Sequence, residues 1–317
     1  MSSPSPIDAF LEEKGVLILD GGLATELEAR GFDLDDPLWS ARLLIEEPAA
    51  IQAVHRDYLE AGADCIITAS YQATVAGFLS RGKSEQQAID LLRKSVELAL
   101  SVRERFWAEE KNRKDRLRPL VAASIGPYGA YLANGAEFTG RYDFDREELV
   151  RFHRRRWHVL ADSGADLLAC ETIPSGAEAL ALADLIRETP KLYAWLSFSC
   201  RDGEHISDGT PIAECARQVS SCSGIVAIGV NCTAPRFVPR LLAALREVTD
   251  KPLLAYPNSG ERYDTSARRW SGESDPEGFG VASRLWHASG ARLLGGCCRT
   301  GPDHIREIRR SLAPIAA

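Results

Sequence analysis

The 317-residue sequence lacks the features of a membrane or secreted protein. It contains no apolar run of the ~18 residues that a membrane-spanning helix needs. Its beginning, MSSPSPIDAFLEEKG, has no basic segment followed by an apolar stretch, as a secretory signal would have. These absences argue against a membrane protein and favour a cytoplasmic location. In that reducing compartment, the eight cysteines would not form a disulfide framework.

The chain also lacks a basic surplus and an internal linker. Its 38 Lys and Arg residues are outnumbered by 45 Asp and Glu residues, which gives a net charge of -7. A protein that binds the nucleic-acid backbone would show the opposite balance, so we exclude nucleic acid as a partner. No segment is low in complexity, and 45% of the residues are hydrophobic. We therefore expect one domain over residues 1–317.

Eight short apolar runs are present along the whole chain. They are nearly continuous in hydrophobicity rather than alternating, which is typical of parallel strands that helices cover. The runs lie at 16–20, 65–69, 120–124, 167–171, 193–198, 225–230, 253–256 and 291–295.

Segments with helical periodicity separate these runs. Plausible capping pairs begin three of the segments, namely Ser84 with Gln87, Asp145 with Glu148, and Ser175 with Glu178. Glycines that could end a helix in the left-handed conformation precede three strands, at Gly62, Gly164 and Gly290. The repeated alternation of strand and helix predicts a single (β/α)8 TIM barrel rather than an open, doubly wound sheet.

Polar residues and glycines follow seven of the eight predicted strands. In a TIM barrel the loops after the strands build the active site, so these residues would share one mouth. The segments concerned are Asp20-Gly21-Gly22, 68–72, 124–129, Cys170-Glu171-Thr172, Asn231-Cys232, 256–260 and Gly296-Cys297-Cys298.

Three cysteines stand at the ends of predicted strands six and eight. The two strands would lie roughly 10 Å apart, whereas two thiolates on one zinc are under about 4 Å apart, so inward-pointing side chains could close the gap. Neighbouring strand residues point to opposite faces, and therefore Cys297 and Cys298 can share a metal only beyond the strand's end. Gly295 and Gly296 would provide the backbone freedom for that bend. Together with Cys232, the cysteines at 297 and 298 predict a Zn²⁺ site.

Three protein ligands leave one position of a tetrahedral zinc open, as in a catalytic site. An all-thiolate zinc carries net negative charge, so it is suited to holding a fourth thiol deprotonated rather than to generating hydroxide. The expected reaction is attack by a substrate thiolate on an electrophilic carbon, for example a sulfonium methyl group. The alternatives are three buried thiols that bind no metal and a disulfide between Cys297 and Cys298.

Eight motifs resemble the homocysteine S-methyltransferase family over essentially the whole chain, and most closely its S-methylmethionine-using members. The motifs are DGGLATELEARG (20–31), ITASYQAT (67–74), IGPYGAYLANGAEFTGRY (125–142), ACETIP (169–174), SDGTP (207–211), GVNC (229–232), YPNSGE (256–261) and GGCCRT (295–300). The resemblance implies a zinc barrel that methylates L-homocysteine to methionine.

The resemblance also implies roles for individual residues. Cys232, Cys297 and Cys298 match the zinc ligands that activate the substrate thiol. Asp20 and Glu171 match acidic positions that hold the amino group of homocysteine. The positions that match the rest of the substrate pocket are Gly21, Gly22, Ser70, Asn231 and Asn258.

The methyl donor is the less determined part of this interpretation. A sulfonium needs carboxylates or aromatic faces, and we favour Tyr128, in the Gly-Pro-Tyr-Gly turn, among the candidates Trp39, Tyr71, Tyr128 and Tyr256. S-Methylmethionine is the expected donor, and S-adenosylmethionine is the alternative. Betaine or folate donors, a phosphate-binding barrel, and a non-catalytic zinc or redox-sensing barrel are more remote.

Overall fold

The computed structural model describes residues 4–36, 38–264 and 269–313. All eight predicted runs are strands of one parallel sheet. The strands are β1 Leu17–Ile18, β2 Cys65–Ile67, β3 Leu120–Ile125, β4 Leu167–Ile173, β5 Ala194–Phe198, β6 Ile225–Asn231, β7 Leu253–Tyr256 and β8 Ala291–Leu294. Their order in the sheet is β1-β8-β7-β6-β5-β4-β3-β2. A parallel bridge between Leu19 and Cys65 joins β1 to β2, so the sheet closes into a (β/α)8 barrel.

Helices follow the strands and surround the sheet. They are α1 Asp8–Lys14, α2 Leu23–Ala29, α3 Leu43–Glu46, α4 Pro48–Ala61, α5 Val75–Ser80, α6 Glu85–Ala108, α7 Tyr128–Leu132, α8 Arg146–Ala161, α9 Gly176–Glu188, α10 Ile212–Val219, α11 Val238–Arg246, α12 Pro276–Ala288 and α13 Pro302–Leu312. Short 3-10 turns lie at Trp39–Arg42, Glu110–Arg113, Ala136–Phe138 and Pro235–Phe237. A small antiparallel hairpin pairs Arg262–Asp264 with Arg269–Ser271.

The predicted capping pairs form, with one difference. Complete capping boxes begin α6 at Ser84 and α8 at Asp145. Ser175 caps α9 by accepting from the backbone of Glu178. The Glu178 side chain does not reach back, because it is buried against the ring of His153. This carboxylate therefore joins two helices instead of completing a cap.

The three glycines predicted to end helices all have positive φ, which L side chains rarely adopt. Their φ angles are +110° at Gly62, +86° at Gly164 and +103° at Gly290. Each turns the chain from an outer helix back into the next strand. The recurring sequence pattern thus corresponds to a recurring αβ connection of the barrel.

Two apolar layers hold the barrel together. One fills its interior and includes Leu17, Cys65, Leu167 and Trp195, while α1 contributes Phe10 to the same cluster. The other lies between the sheet and the helices. Burial of each large apolar side chain is worth roughly 1.5–3 kcal/mol, so strands buried on both faces give the near-continuous runs seen in the sequence. Among the described residues, none of the helices is both long enough and apolar enough to cross a membrane.

Candidate metal centre and substrate pocket

Cys232, Cys297 and Cys298 lie together at the C-terminal mouth of the barrel. Cys232 directly follows β6, and the other two follow β8 after two glycines. Their three Sγ atoms are all within 4.8 Å of one another. The Sγ atoms of Cys232 and Cys298 are 3.6 Å apart. The tertiary structure therefore brings together the three cysteines that the sequence analysis singled out, and the remaining five lie elsewhere in the described chain.

The distances fit a tetrahedral metal. Two ligands that each lie about 2.3 Å from a zinc ion are separated by about 3.8 Å, close to the separation of Cys232 and Cys298. Sulfur ligands favour zinc among the common divalent ions. Within the described residues this is the one cluster with the separations of a metal site. The donor set therefore fits the zinc that the sequence predicts.

Beyond each strand, the backbone turns so that the sulfurs converge. Cys232 has a φ of +48° and Arg299 a φ of +66°, in the left-handed region that is uncommon for residues other than glycine. The Cys297 amide donates to Pro257 O at 2.8 Å, outside the strand ladder. This geometry agrees with the expectation that the two neighbouring cysteines meet only where the strand has ended.

Gly295 and Gly296 are required for a different reason from the one we expected. Neither has a positive φ. A Cβ atom at Gly295 would lie 2.6 Å from the Cβ of Leu19, and one at Gly296 would collide with the side chain of Thr300. The glycines therefore allow close packing of the cysteine loop on the first strand, and the left-handed turn itself is made at Arg299.

The three thiols influence one another's ionisation. Hydrogen bonds from the Cys232 and Cys297 thiols hold the pKa of Cys298 well below its usual value. In turn, donation to its two neighbours raises the pKa of Cys232. Since metal binding requires deprotonated sulfurs, a metal ion at this cluster would have to displace the thiol protons.

Asp20 lies two residues beyond the end of β1 and is almost fully buried. Its Oδ2 accepts from the amide of Ile67 at 2.8 Å, but its buried Oδ1 has no hydrogen-bond partner. Burial raises the pKa of Asp20, and the nearby charges of Glu171 and Cys297 raise it further. An unpartnered buried carboxylate oxygen is unfavourable unless a ligand satisfies it.

Glu171 faces the same part of the mouth as Asp20. It lies in a β-bulge, because Cys170 pairs with Leu196 while Ile173 pairs with Phe198, which leaves one extra residue on β4. Ser124 donates its hydroxyl hydrogen to Glu171 Oε1. Burial is the main cause that raises the pKa of Glu171 to about 8, with a smaller contribution from Cys297.

Asn231 connects the bulge to the cysteines. Its Oδ1 accepts from the amide of Thr172 at 2.7 Å and from the Ser197 hydroxyl at 2.8 Å. Its Nδ2 donates to Thr172 Oγ1 at 2.7 Å and lies 3.8 Å from Cys297 Sγ. The amide thus replaces ladder bonds that the bulge removes and also supports the orientation of one sulfur.

The other predicted pocket residues lie in different environments. Ser70 is fully buried, and its hydroxyl donates to Ser124 O at 2.8 Å, beneath Glu171. Asn258 has a buried Oδ1 without a partner, as Asp20 has. Tyr128 stacks on Phe144 at 4.3 Å between ring centroids and contacts the ring of Phe152 at 4.8 Å, in an aromatic cluster beside α8.

Gly21 and Gly22 lie under the cysteine loop. A Cβ atom at Gly21 would be 2.9 Å from Thr300 O, and one at Gly22 would be 2.6 Å from Cys297 O. The amide of Gly22 donates to Thr300 O at 2.9 Å. Side chains at these two positions would therefore displace the loop that carries Cys297 and Cys298.

Sequence analysis assigned no individual role to two residues of the mouth. Thr172, which follows Glu171 in one of the predicted segments, has a φ of +59° and shapes the bulge, but its role becomes visible only in its contact with Asn231. Glu137 is a partly buried carboxylate whose Oε2 has no hydrogen-bond partner. Its position within the motif at 125–142, after the third strand, was the available signal.

Comparison with known proteins identifies relatives over nearly the whole chain. The family profile described as Homocysteine S-methyltransferase matches residues 17–312. Homocysteine S-methyltransferase YbgG of Bacillus subtilis is 51% identical over 304 residues, which cover 96% of each chain. The Homocysteine S-methyltransferase of Escherichia coli is 48% identical over 313 residues, covering 98% of this chain and 99% of that one.

A solved structure supports both the fold and the presence of a metal in a relative. The metallated form of the homocysteine methyltransferase MmuM from Escherichia coli superposes with a TM-score of 0.87. It is 46% identical in sequence, and the match covers 96% of this chain and 99% of that chain.

Proposed function

Since the chain belongs to the homocysteine S-methyltransferase family and is therefore a methyltransferase enzyme, we propose that it is a zinc-dependent one that uses S-methylmethionine. In this proposal residues 1–317 form one homocysteine-binding domain. The acceptor is the thiol of L-homocysteine, and methionine is the product. The observation that carries the proposal is the group of three cysteine sulfurs within 4.8 Å at the barrel mouth, a ligand set with room for a fourth sulfur.

Cys232, Cys297 and Cys298 would hold the zinc. When bound, the ion would keep the homocysteine sulfur deprotonated at neutral pH while leaving it nucleophilic. The protein's part is to keep the three sulfurs converged, through the left-handed turn at Cys232 and the packing of Gly295 and Gly296. The amide of Asn231 supports the sulfur of Cys297.

Asp20 and Glu171 would bind the ammonium group of homocysteine. Both carboxyl groups interact electrostatically with Cys297, and burial raises the pKa of each. A bound ammonium would supply the positive charge that both lack and a donor for the free Oδ1 of Asp20. We place Gly21, Gly22, Ser70 and Asn258 around the same pocket, where Asn258 Oδ1 is a second free acceptor.

The proposed transfer is balanced in charge and atoms. The homocysteine thiol releases its proton to the solvent on binding, and its sulfur then forms a bond to the methyl carbon of the donor. The bond from that carbon to the donor sulfur breaks, and its electron pair stays on the donor sulfur, which becomes a neutral thioether. A negative and a positive charge disappear together, so a mouth with little water favours the reaction.

S-Adenosylmethionine is the alternative donor because it offers the same sulfonium methyl group.

The zinc-dependent reaction is tested by supplying L-homocysteine with S-methylmethionine, S-adenosylmethionine or betaine, before and after the metal is removed by a chelator. We expect the fastest transfer from S-methylmethionine and none after metal removal. Activity that survives complete removal of zinc would contradict the zinc-dependent mechanism, and faster transfer from S-adenosylmethionine would reverse the donor assignment.

A further inference from the structure

Glu137 is an acidic side chain at the barrel mouth to which the proposed reaction assigns no role. It lies in the 3-10 turn Ala136–Phe138, in the long connection between β3 and α8. Its Oε2 is buried and has no hydrogen-bond partner. Among the side chains that the structure describes, those of residues 4–36, 38–261 and 272–313, none forms an ion pair with Glu137. A carboxylate in this condition is unfavourable in the free protein, and a ligand cation would satisfy it.

Several contacts fix the backbone at and around Glu137, although its side-chain Oε2 has no hydrogen-bond partner. The Ser199 hydroxyl donates to Glu137 O at 3.1 Å. The turn at Gly129 packs so closely that a Cβ atom there would collide with the backbone nitrogen of Glu137. The amide of Gly140 donates to Ala136 O at 2.8 Å, which closes the turn. The protein therefore positions this carboxylate while leaving its Oε2 without a hydrogen-bond partner.

These contacts place Glu137 beside the cysteine centre. Ser199 is followed by Cys200, whose amide donates to Thr233 Oγ1 at 3.0 Å, and Thr233 directly follows Cys232. The turn that carries Glu137 thus rests on the ends of β5 and β6. The charge of Glu137 also raises the pKa of the Cys298 thiol, although this is a smaller influence than the hydrogen bonds within the cluster.

Aromatic rings accompany the carboxylate. Tyr71 is half-buried in the mouth, where the charges of Glu137 and Cys232 raise the pKa of its hydroxyl in addition to the larger effect of desolvation. The ring of Trp39 meets the ring of Tyr71 edge-on, with centroids 6.0 Å apart. A carboxylate next to aromatic faces is a suitable environment for a cation that carries methyl groups.

We propose that Glu137, assisted by the ring of Tyr71, binds the sulfonium group of the methyl donor and holds it beside Cys298. This inference rests on the proposed function and deepens it. The sulfonium fits better than the donor's ammonium group, because the methyl carbon must reach the sulfur bound at the cysteine centre. The ammonium group of S-methylmethionine is three carbon atoms away from that sulfonium.

The test compares Glu137→Gln, which keeps the size and removes the charge, with Glu147→Gln as a matched control. The Glu147 side chain is 88% exposed on α8. We expect Glu137→Gln to raise the KM for S-methylmethionine about tenfold or more, as loss of a charged contact does. The KM for homocysteine and the zinc content should stay within twofold, and Glu147→Gln should change neither.

Equilibrium binding gives a readout that does not depend on catalysis. Trimethylsulfonium carries the proposed cation without an ammonium group, and calorimetry should show that Glu137→Gln weakens its binding as much as that of S-methylmethionine. Weakened binding of S-methylmethionine alone would overturn the assignment to the sulfonium. Unchanged binding of both, or a higher KM for homocysteine only, would overturn the inference.

These measurements separate the inference from the proposed function. If the wild-type protein transfers no methyl group from any sulfonium donor to homocysteine, the proposed function is wrong, whatever Glu137→Gln does. If transfer from S-methylmethionine proceeds with the same donor KM in Glu137→Gln as in the wild type, only the role of Glu137 is wrong.

Discussion

The two sides of the cysteine centre differ in how their acidic groups are built into the protein. On the Cys297 side, Asp20 and Glu171 are nearly fully buried, and each receives a hydrogen bond from a neighbouring strand. On the Cys298 side, Glu137 lies on a short turn, and its side chain receives no protein donor at Oε2. The acidic groups of the first side thus lie in or just after strands of the barrel, whereas Glu137 lies in the connection between β3 and α8.

This difference matches the two substrates that we propose. The ammonium group of homocysteine keeps its charge throughout the reaction, so a rigid, deeply buried pair of carboxylates can serve it. The sulfonium loses its charge when the methyl group leaves, so a strong buried counter-charge would favour the donor over the transition state. A single carboxylate at the more open side would bind the donor and still allow release of the thioether product.

The largest effect on activity is expected from a substitution within the cysteine centre itself. Cys298→Ala removes one of three sulfur ligands, so we expect loss of zinc and a fall in methyl transfer of about 10³-fold or more. Metal analysis and an activity assay measure the two effects. Cys222→Ala is the control, because Cys222 is buried outside the cluster. Retention of one zinc and of full activity in Cys298→Ala would contradict the ligand assignment.

On the Cys297 side, the ionisation of Glu171 should make the stability of the metal-free protein depend on pH. Burial raises the pKa of Glu171 to about 8, so the folded state binds a proton more tightly than the unfolded state. The metal-free wild type should therefore lose stability as the pH rises from about 4.5 to 8, relative to Glu171→Gln, by on the order of 4 kcal/mol.

Urea denaturation of the two metal-free proteins at pH 5, 6.5 and 8 checks this pH dependence. Glu171→Gln cannot ionise, so its advantage in stability should grow through that pH window and level off above it. The control is Glu147→Gln, whose exposed side chain should give a constant difference. An advantage that is the same at all three pH values would show that the carboxyl group of Glu171 ionises normally.

Asp20→Asn should affect the acceptor and leave the donor unchanged. The substitution keeps the shape of the side chain but removes the charge that would face the ammonium group. We expect the KM for homocysteine to rise about 100-fold, as when one partner of a buried charged pair is removed. In the double variant with Glu137→Gln, the two KM effects should be independent. If both substitutions raised the KM for the same substrate, the assignment of one substrate to each side would be contradicted.

The smallest effect is expected at Tyr128. Its ring packs among Tyr131, Tyr142, Phe144 and Phe152, and the phenylalanine in Tyr128→Phe would keep those contacts. We therefore expect both KM values to stay within about twofold, since exposed or aromatic-packed hydroxyls contribute little. A tenfold rise in the donor KM would indicate that the Tyr128 hydroxyl contacts the donor, and that the donor site lies closer to α8 than we propose.

The chain's hydrophobic pattern was sufficient for the fold. All eight apolar runs are strands, because parallel strands covered on both faces must be apolar at nearly every position. The three cysteines could also be predicted, since their residue type and their place after two strands left few other roles. Asp20 and Glu171 required the family resemblance, because an acidic residue after a strand is as often a cap or a salt bridge.

What the sequence determined by itself was local in origin: the strands, the caps at Ser84 and Asp145, and the three cysteines that follow β6 and β8. The tertiary structure decided features that depend on residues far apart in the chain. Asn231 holds the bulge at Thr172 from 59 residues away, and Gly295 is needed because Leu19 and Asp20 pack against it. Likewise, only the closed barrel brings the turn that carries Glu137 to Ser199 after β5, near the end of β6 that carries Cys232, since nothing near these residues in sequence requires the others.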